Sequence, residues 1–135
     1  MTRNEIRTSD APTPGYAFSQ GVRDGLLIQV SGQGSMDPTT GRLVHEDDVE
    51  AQTERTLANI EAVLAAGGAT FDDVVMLRVY LTVRESFAPM NAAYARFLST
   101  RVSSGVMPAR TTVMTGLPVE GMLVEIDALA TVPQN

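Results

Sequence analysis

The chain has 135 residues, a net charge of −6 and an apolar fraction of 44%, which fits one domain able to bury about two-thirds of its unfolded surface. It has no cysteine, a single histidine, and ten basic residues that are all arginine. That excludes disulfides, thiol nucleophiles, thiolate metal sites and Schiff-base lysines, and leaves triads and histidine-rich metal centres without residues. The acidic balance argues against a nucleic-acid partner, the lack of any run of about 18 apolar residues argues against a membrane span, and a polar N-terminus in place of a signal peptide points to the cytoplasm.

Residues 1–14 carry Pro12 and Pro14 and little periodicity, and read as a mobile or edge-wrapping arm of one domain spanning 1–135. "YAFSQGV" and "LLIQVSG" follow as two strands, split by Asp24-Gly25, a strong hairpin signal. "SMDPTTGRLV" is a turn-rich loop, and the lone His45 lies among acids in "RLVHEDDVE". A helix is expected near Asp48 to Ala66, where Val49, Thr53, Leu57, Ile60 and Leu64 recur at helical spacing. Acids crowd its start, where the macrodipole favours them, and Gly67-Gly68 stops it.

"DVVMLRVYLTV" alternates as a strand, with Val75, Leu77, Val79, Leu81 and Val83 on one face and Met76, Arg78, Tyr80 and Thr82 on the other. Ser86 is placed to cap a second helix whose stripe is Phe87, Met90, Tyr94, Phe97 and Leu98. "RTTVMTG" and "MLVEIDALATV" are two further strands. The order β-β-α-β-α-β-β predicts an α+β sandwich, with both helices on one face of a mixed sheet. The other face would carry Met76, Tyr80, Leu123 and Leu129, too apolar for open water, so an oligomer that buries it is expected.

Two charged residues stand out. Arg110 opens a β-branched strand directly after Pro108 and Ala109. It is either a strand-end arginine that reaches solvent or pairs with a neighbouring acid, or a planar fork that grips a carboxylate bidentately. Glu125 shares a strand face with Leu123. It is either half of an ion pair with a residue such as Arg78 or a partly desolvated carboxylate that activates water. Ser31 and Gly32 end a strand where a backbone can approach a ligand closely, and Asn91 lies off the main stripe of the second helix.

Five stretches taken in order, "VSGQ…DPTTG", "DVVMLRVYLT", "FAPMNAAYARFL", "PARTTV" and "LVEIDALA", resemble the Rid family of reactive intermediate deaminases, also called the YjgF family, from about Ala11 to Val132. The resemblance implies a chorismate-mutase-like fold and a barrel-shaped homotrimer with clefts between subunits. It also implies hydrolysis of reactive enamines and imines, of the 2-aminoacrylate type, to 2-keto acids and ammonia, without metal or cofactor. On that resemblance Arg110 falls on the arginine that binds the substrate carboxylate, and Glu125 on the acid associated with the hydrolytic water. Ser31 and Gly32 match the cleft wall, Asn91 the polar residue of the second helix, and Thr112 a variable cleft position. Phe18 stands where the family usually places a tyrosine, and "GQGS", with Gly34 and Ser35, replaces "GQIP". Both changes alter the pocket wall. A non-catalytic trimer that uses Arg110 to bind a small carboxylate is the alternative function.

Overall fold

The computed structural model describes residues 3–133; Met1, Thr2, Gln134 and Asn135, the ends of the expected arm and domain, lie outside the described residues. The strands are β1 (Arg3–Ile6), β2 (Gly21–Asp24), β3 (Leu27–Gln33), β4 (Val74–Leu81), β5 (Ala109–Met114) and β6 (Val124–Thr131); the helices are α1 (Val49–Ala66), between β3 and β4, and α2 (Phe87–Ser99), between β4 and β5. One six-stranded sheet runs β1-β2-β3-β6-β4-β5. All neighbours are antiparallel except β4 and β5. That parallel pair needs a crossover, and α2 supplies it.

The expected fold class stands, with one strand added. Part of the N-terminal arm is not loose: β1 pairs with β2 along the sheet edge, Arg3 opposite Asp24 and Ile6 opposite Gly21. Only Ile6 of its four residues is buried, so no alternation could announce it. The hairpin at Asp24-Gly25 forms as expected, Gly25 taking φ +62°. "YAFSQ" is not strand, because β2 begins only at Gly21.

The core lies between the sheet and the helices. Leu57, Ile60, Val63 and Leu64 of α1 bury completely against Ile28, Val30, Ile126, Ala128 and Ala130, each large side chain contributing about 1.5–3 kcal/mol. In β6 the alternation holds, with Val124, Ile126, Ala128 and Ala130 fully buried. In β4 it breaks once. The register shifts between Val74 and Met76, so Val74 takes the core position and Val75 is exposed, as a bulge requires. Asp48 caps α1, accepting from the Ala51 amide at 3.0 Å. Ser86 does not cap α2: it is buried, helical in backbone, and ends a short 3-10 turn, Arg84–Ser86, that runs straight into the helix.

Candidate active site

The cavity that holds Glu125 has a volume of about 530 Å³. Phe18 and Gly32 line it with Glu125, together with Met36, Met122 and the loop residue Val119. Three buried amide side chains hold its walls. The amide nitrogen of Gln20 donates to the carbonyls of Thr8, Ala11 and Pro12, while its oxygen accepts from the Thr8 amide, so the arm is tied across the rim. Asn59, from α1, donates to the carbonyls of Gly34 and Met36, each at 3.0 Å. Gln52 donates to the carbonyls of His45 and Gly121 and accepts from the Leu123 amide, which fixes the loop that feeds β6. Sequence reading missed all three. An amide in a helical stripe, like Gln52 and Asn59, or just before a strand, like Gln20, gives no sign of which loop it will meet.

Glu125 is half-buried, and burial is the main cause pushing its carboxyl above the usual range, with the negative charge of Asp127 adding to it. Gly32 makes room for it: a Cβ there would stand 2.9 Å from the Glu125 carboxyl carbon. The expected alternative partner is engaged elsewhere. Arg78 donates to Asp127 at 2.7 Å, and the Tyr80 hydroxyl donates to the other Asp127 oxygen at 2.9 Å. Among the described residues neither Glu125 nor Arg110 takes part in an ion pair. Ser31 is used structurally, its hydroxyl donating to the Ser19 carbonyl at 2.6 Å.

Arg110 sits elsewhere. Its guanidinium stacks over the Tyr94 ring at 4.8 Å and near the Phe87 ring at 5.9 Å, a cation–π seat that orients the fork while leaving its N–H groups open. Asn91 lies four residues after Phe87 and three before Tyr94, so it shares their face of α2 rather than standing off it. The Asn91 side-chain oxygen and the Thr112 hydroxyl are buried without a hydrogen-bond partner in the chain. Two unsatisfied polar atoms beside a seated guanidinium are what a polar ligand would satisfy.

The two groups do not meet within one chain. Arg110 is in register with Leu77 and Glu125 with Tyr80, on either side of β4. Leu77 faces the helices and Tyr80 faces away from them, so the two side chains leave opposite faces of the sheet. Two strand spacings, about 10 Å, separate their backbones before any offset along the strands. Among the described residues no three histidine or acidic side chains converge to hold a metal ion.

A family model described as endoribonuclease L-PSP matches residues 8–132. A RutC family protein of Pyrococcus abyssi is 36% identical over 130 residues, 96% of this chain and 98% of that one. This chain belongs to the YjgF/RutC/Rid family. Another Rid relative, the 2-iminobutanoate/2-iminopropanoate deaminase of Salmonella typhimurium, is 33% identical, covering 93% of this chain and 94% of its own. The crystal structure of E. coli TdcF with bound serine superposes on the Rid chain described here with a TM-score of 0.88 at 28% identity, over 96% of this chain and 99% of that one.

Proposed function

We propose that this Rid protein hydrolyses 2-imino acids, and the enamines that tautomerise to them, to 2-keto acids and ammonia. The observation that carries the reading is Glu125: a half-buried carboxyl outside any ion pair among the described residues, raised in pKa, in an apolar cavity. Water adds to the C2 carbon of the C=N group while Glu125 takes its proton. Glu125 returns that proton to nitrogen, giving the amino alcohol; the hydroxyl proton then passes through Glu125 to the nitrogen, the C–N bond breaks and the carbonyl forms. One imine and one water become one keto acid and one ammonia. Arg110, seated on Tyr94 and Phe87, holds the substrate carboxylate, which turns a diffusive encounter into a fixed approach.

Because Arg110 and Glu125 leave opposite faces of one chain, this reaction requires the Arg110 group of one copy to face the cavity of the next. A homotrimer with clefts between subunits satisfies that need, and the exposed apolar residues Val106 and Met107 just before β5 and Val113 and Met114 at its end supply surface for it. The test is a coupled assay for keto acid and ammonia on freshly generated 2-imino acids. Release above the spontaneous rate, abolished in Arg110→Ala, is the expected result.

A second reading has its own support: Phe18 brings no hydroxyl to the cavity wall, and the TdcF structure holds the stable amino acid serine. On it the same trimer binds a small carboxylate without turning it over, and tight binding with no rate enhancement would favour it. A nuclease role, named in the family model's description, finds no basic track for a phosphate backbone in a chain of net charge −6 without lysine.

A further inference from the structure

On the sheet face turned away from the helices, Arg78 and Tyr80 project from β4, and Glu125 and Asp127 from β6, each alternating with core residues of its strand. The antiparallel register sets Arg78 opposite Asp127 and Tyr80 opposite Glu125. Arg78 is therefore the diagonal neighbour of Glu125, about 7–8 Å away between backbones, a gap that a side chain of its length spans. An arginine that can reach two acids takes the one offering the better bond, and here that is Asp127. The Arg78 Nε donates to one Asp127 oxygen at 2.7 Å. The Tyr80 hydroxyl passes Glu125, its direct cross-strand partner, and donates to the other Asp127 oxygen at 2.9 Å. Asp127 is buried, whereas the Arg78 side chain is 46% exposed. The acid is thus the fixed member of the pair, and the arginine is the one able to swing.

We infer that Asp127 is a positioning residue: it tethers Arg78, and with it the Tyr80 hydroxyl, away from Glu125, so that the Glu125 carboxyl stays unpaired and able to exchange protons with the reacting water. The inference rests on the imine-hydrolase reading for what the unpaired carboxyl does. Capture by Arg78 would undo that role in two ways. It would favour the ionised form, so that Glu125 holds a proton less readily for return to nitrogen, and it would occupy the oxygens that water needs. The groups facing Glu125 are few. Its own strand brings Asp127, β4 brings Arg78 and Tyr80, the arm that lines the cavity brings Tyr16, and β3 brings the uncharged Gly32 and Gln33. In the trimer the next copy adds Arg110, which the substrate carboxylate engages. Arg78 is therefore the one cation of the same sheet face that would stay on Glu125 through the reaction. Asp127 itself acts in the opposite sense, because its charge adds to burial in pushing the Glu125 carboxyl up.

The experiment removes the tether and then the side chain it restrains. Asp127→Ala leaves Arg78 in place with no acid opposite it. In the crystal structure of that variant a guanidinium nitrogen of Arg78 is expected within about 4 Å of a Glu125 oxygen. On a freshly generated 2-imino acid, the acid limb of its pH–rate profile should move down by about one pH unit or more, as an opposite charge at that range produces. Its kcat should fall about tenfold or more, a part of the roughly 10²–10⁴ that a general acid–base group supplies. Adding Arg78→Met to Asp127→Ala should return the limb toward the parent position and recover most of the lost kcat. An acid needed only for the fold would not be rescued by deleting a second side chain. Asp127→Asn, whose neutral oxygen competes poorly with a carboxylate for Arg78, serves if the alanine variant does not fold. A Glu125 still unpaired in the variant structure, or a double variant no more active than the single one, would overturn the inference while leaving the deaminase reading intact. If the parent turns over no imine, the deaminase reading fails by itself. The tether then stands if Arg78 lies on Glu125 in the Asp127→Ala crystal structure, and falls if it does not.

Discussion

In the proposed reaction Arg110 and Glu125 have different jobs, and single substitutions separate them. Arg110→Ala should abolish turnover without lowering the melting temperature, because the guanidinium holds no acid in place; Arg110→Lys should be severely impaired, since an ammonium neither stacks as a plane nor binds two carboxylate oxygens at once. Retained activity in Arg110→Ala would move the carboxylate anchor elsewhere. For Glu125 the folded pKa lies above the unfolded value, so the folded chain holds its proton more tightly and ionisation costs stability. That cost appears as pH rises from the ordinary carboxylate range through the raised value. Glu125→Gln should therefore match or exceed the parent melting temperature at neutral pH while slowing the chemical step, and a drop in melting temperature would restore a structural role for the acid. The same shift puts the acid limb of the pH–rate profile above the usual glutamate range. Asp127→Asn removes the charge that adds to the shift, so the limb should move to lower pH; an unmoved limb would mean that another group titrates.

The elements that deliver these residues are held by polar groups inside the core as much as by apolar packing. Gln52, fully buried in α1, makes three hydrogen bonds, to the His45 and Gly121 carbonyls and from the Leu123 amide. Gln52→Leu keeps the size but strands two carbonyls and one amide. A loss of about 2–4 kcal/mol is expected, read as a fall in melting temperature of about 10 °C, together with a weaker grip on the loop before Glu125. A leucine variant as stable as the parent would show that the loop is held by other contacts. At this scale the sequence was legible wherever an element was long and periodic. α1, β4 and β6 show their faces through spacing alone. β1 has four residues with one buried side chain, the Val74–Val75 bulge moves a single valine, and Ser86 has the right residue type at a helix start without the bond. Each of these depends on a partner that local pattern does not contain.

At the scale of the whole molecule, the proposed chemistry needs more than one chain. Light scattering at micromolar concentration should report about three times 14.4 kDa; a monomer would overturn the proposed site. A mixing experiment tests the geometry more directly. Neither Arg110→Ala nor Glu125→Gln alone should turn over substrate at the parent rate. In trimers co-assembled from equal amounts of the two, about a quarter of the interfaces pair an intact arginine with an intact acid, and activity should return in that proportion. No recovery would mean that the two residues act within one chain or not together.

The amino-acid sequence by itself determined the helix and strand faces, because burial on one side writes a period into the chain, and it singled out Arg110 and Glu125, because a charge in an otherwise apolar strand is conspicuous. Tertiary structure alone decided that Arg78 belongs to Asp127 rather than to Glu125, that Tyr94 and Phe87 seat Arg110, and that Gly34 leaves room for Met122. It also decided that the two candidate catalytic groups leave opposite faces of the sheet. These are pairings between residues far apart along the chain, set by strand register and by which strand lies next to which, and neither quantity is encoded in the local order of side chains.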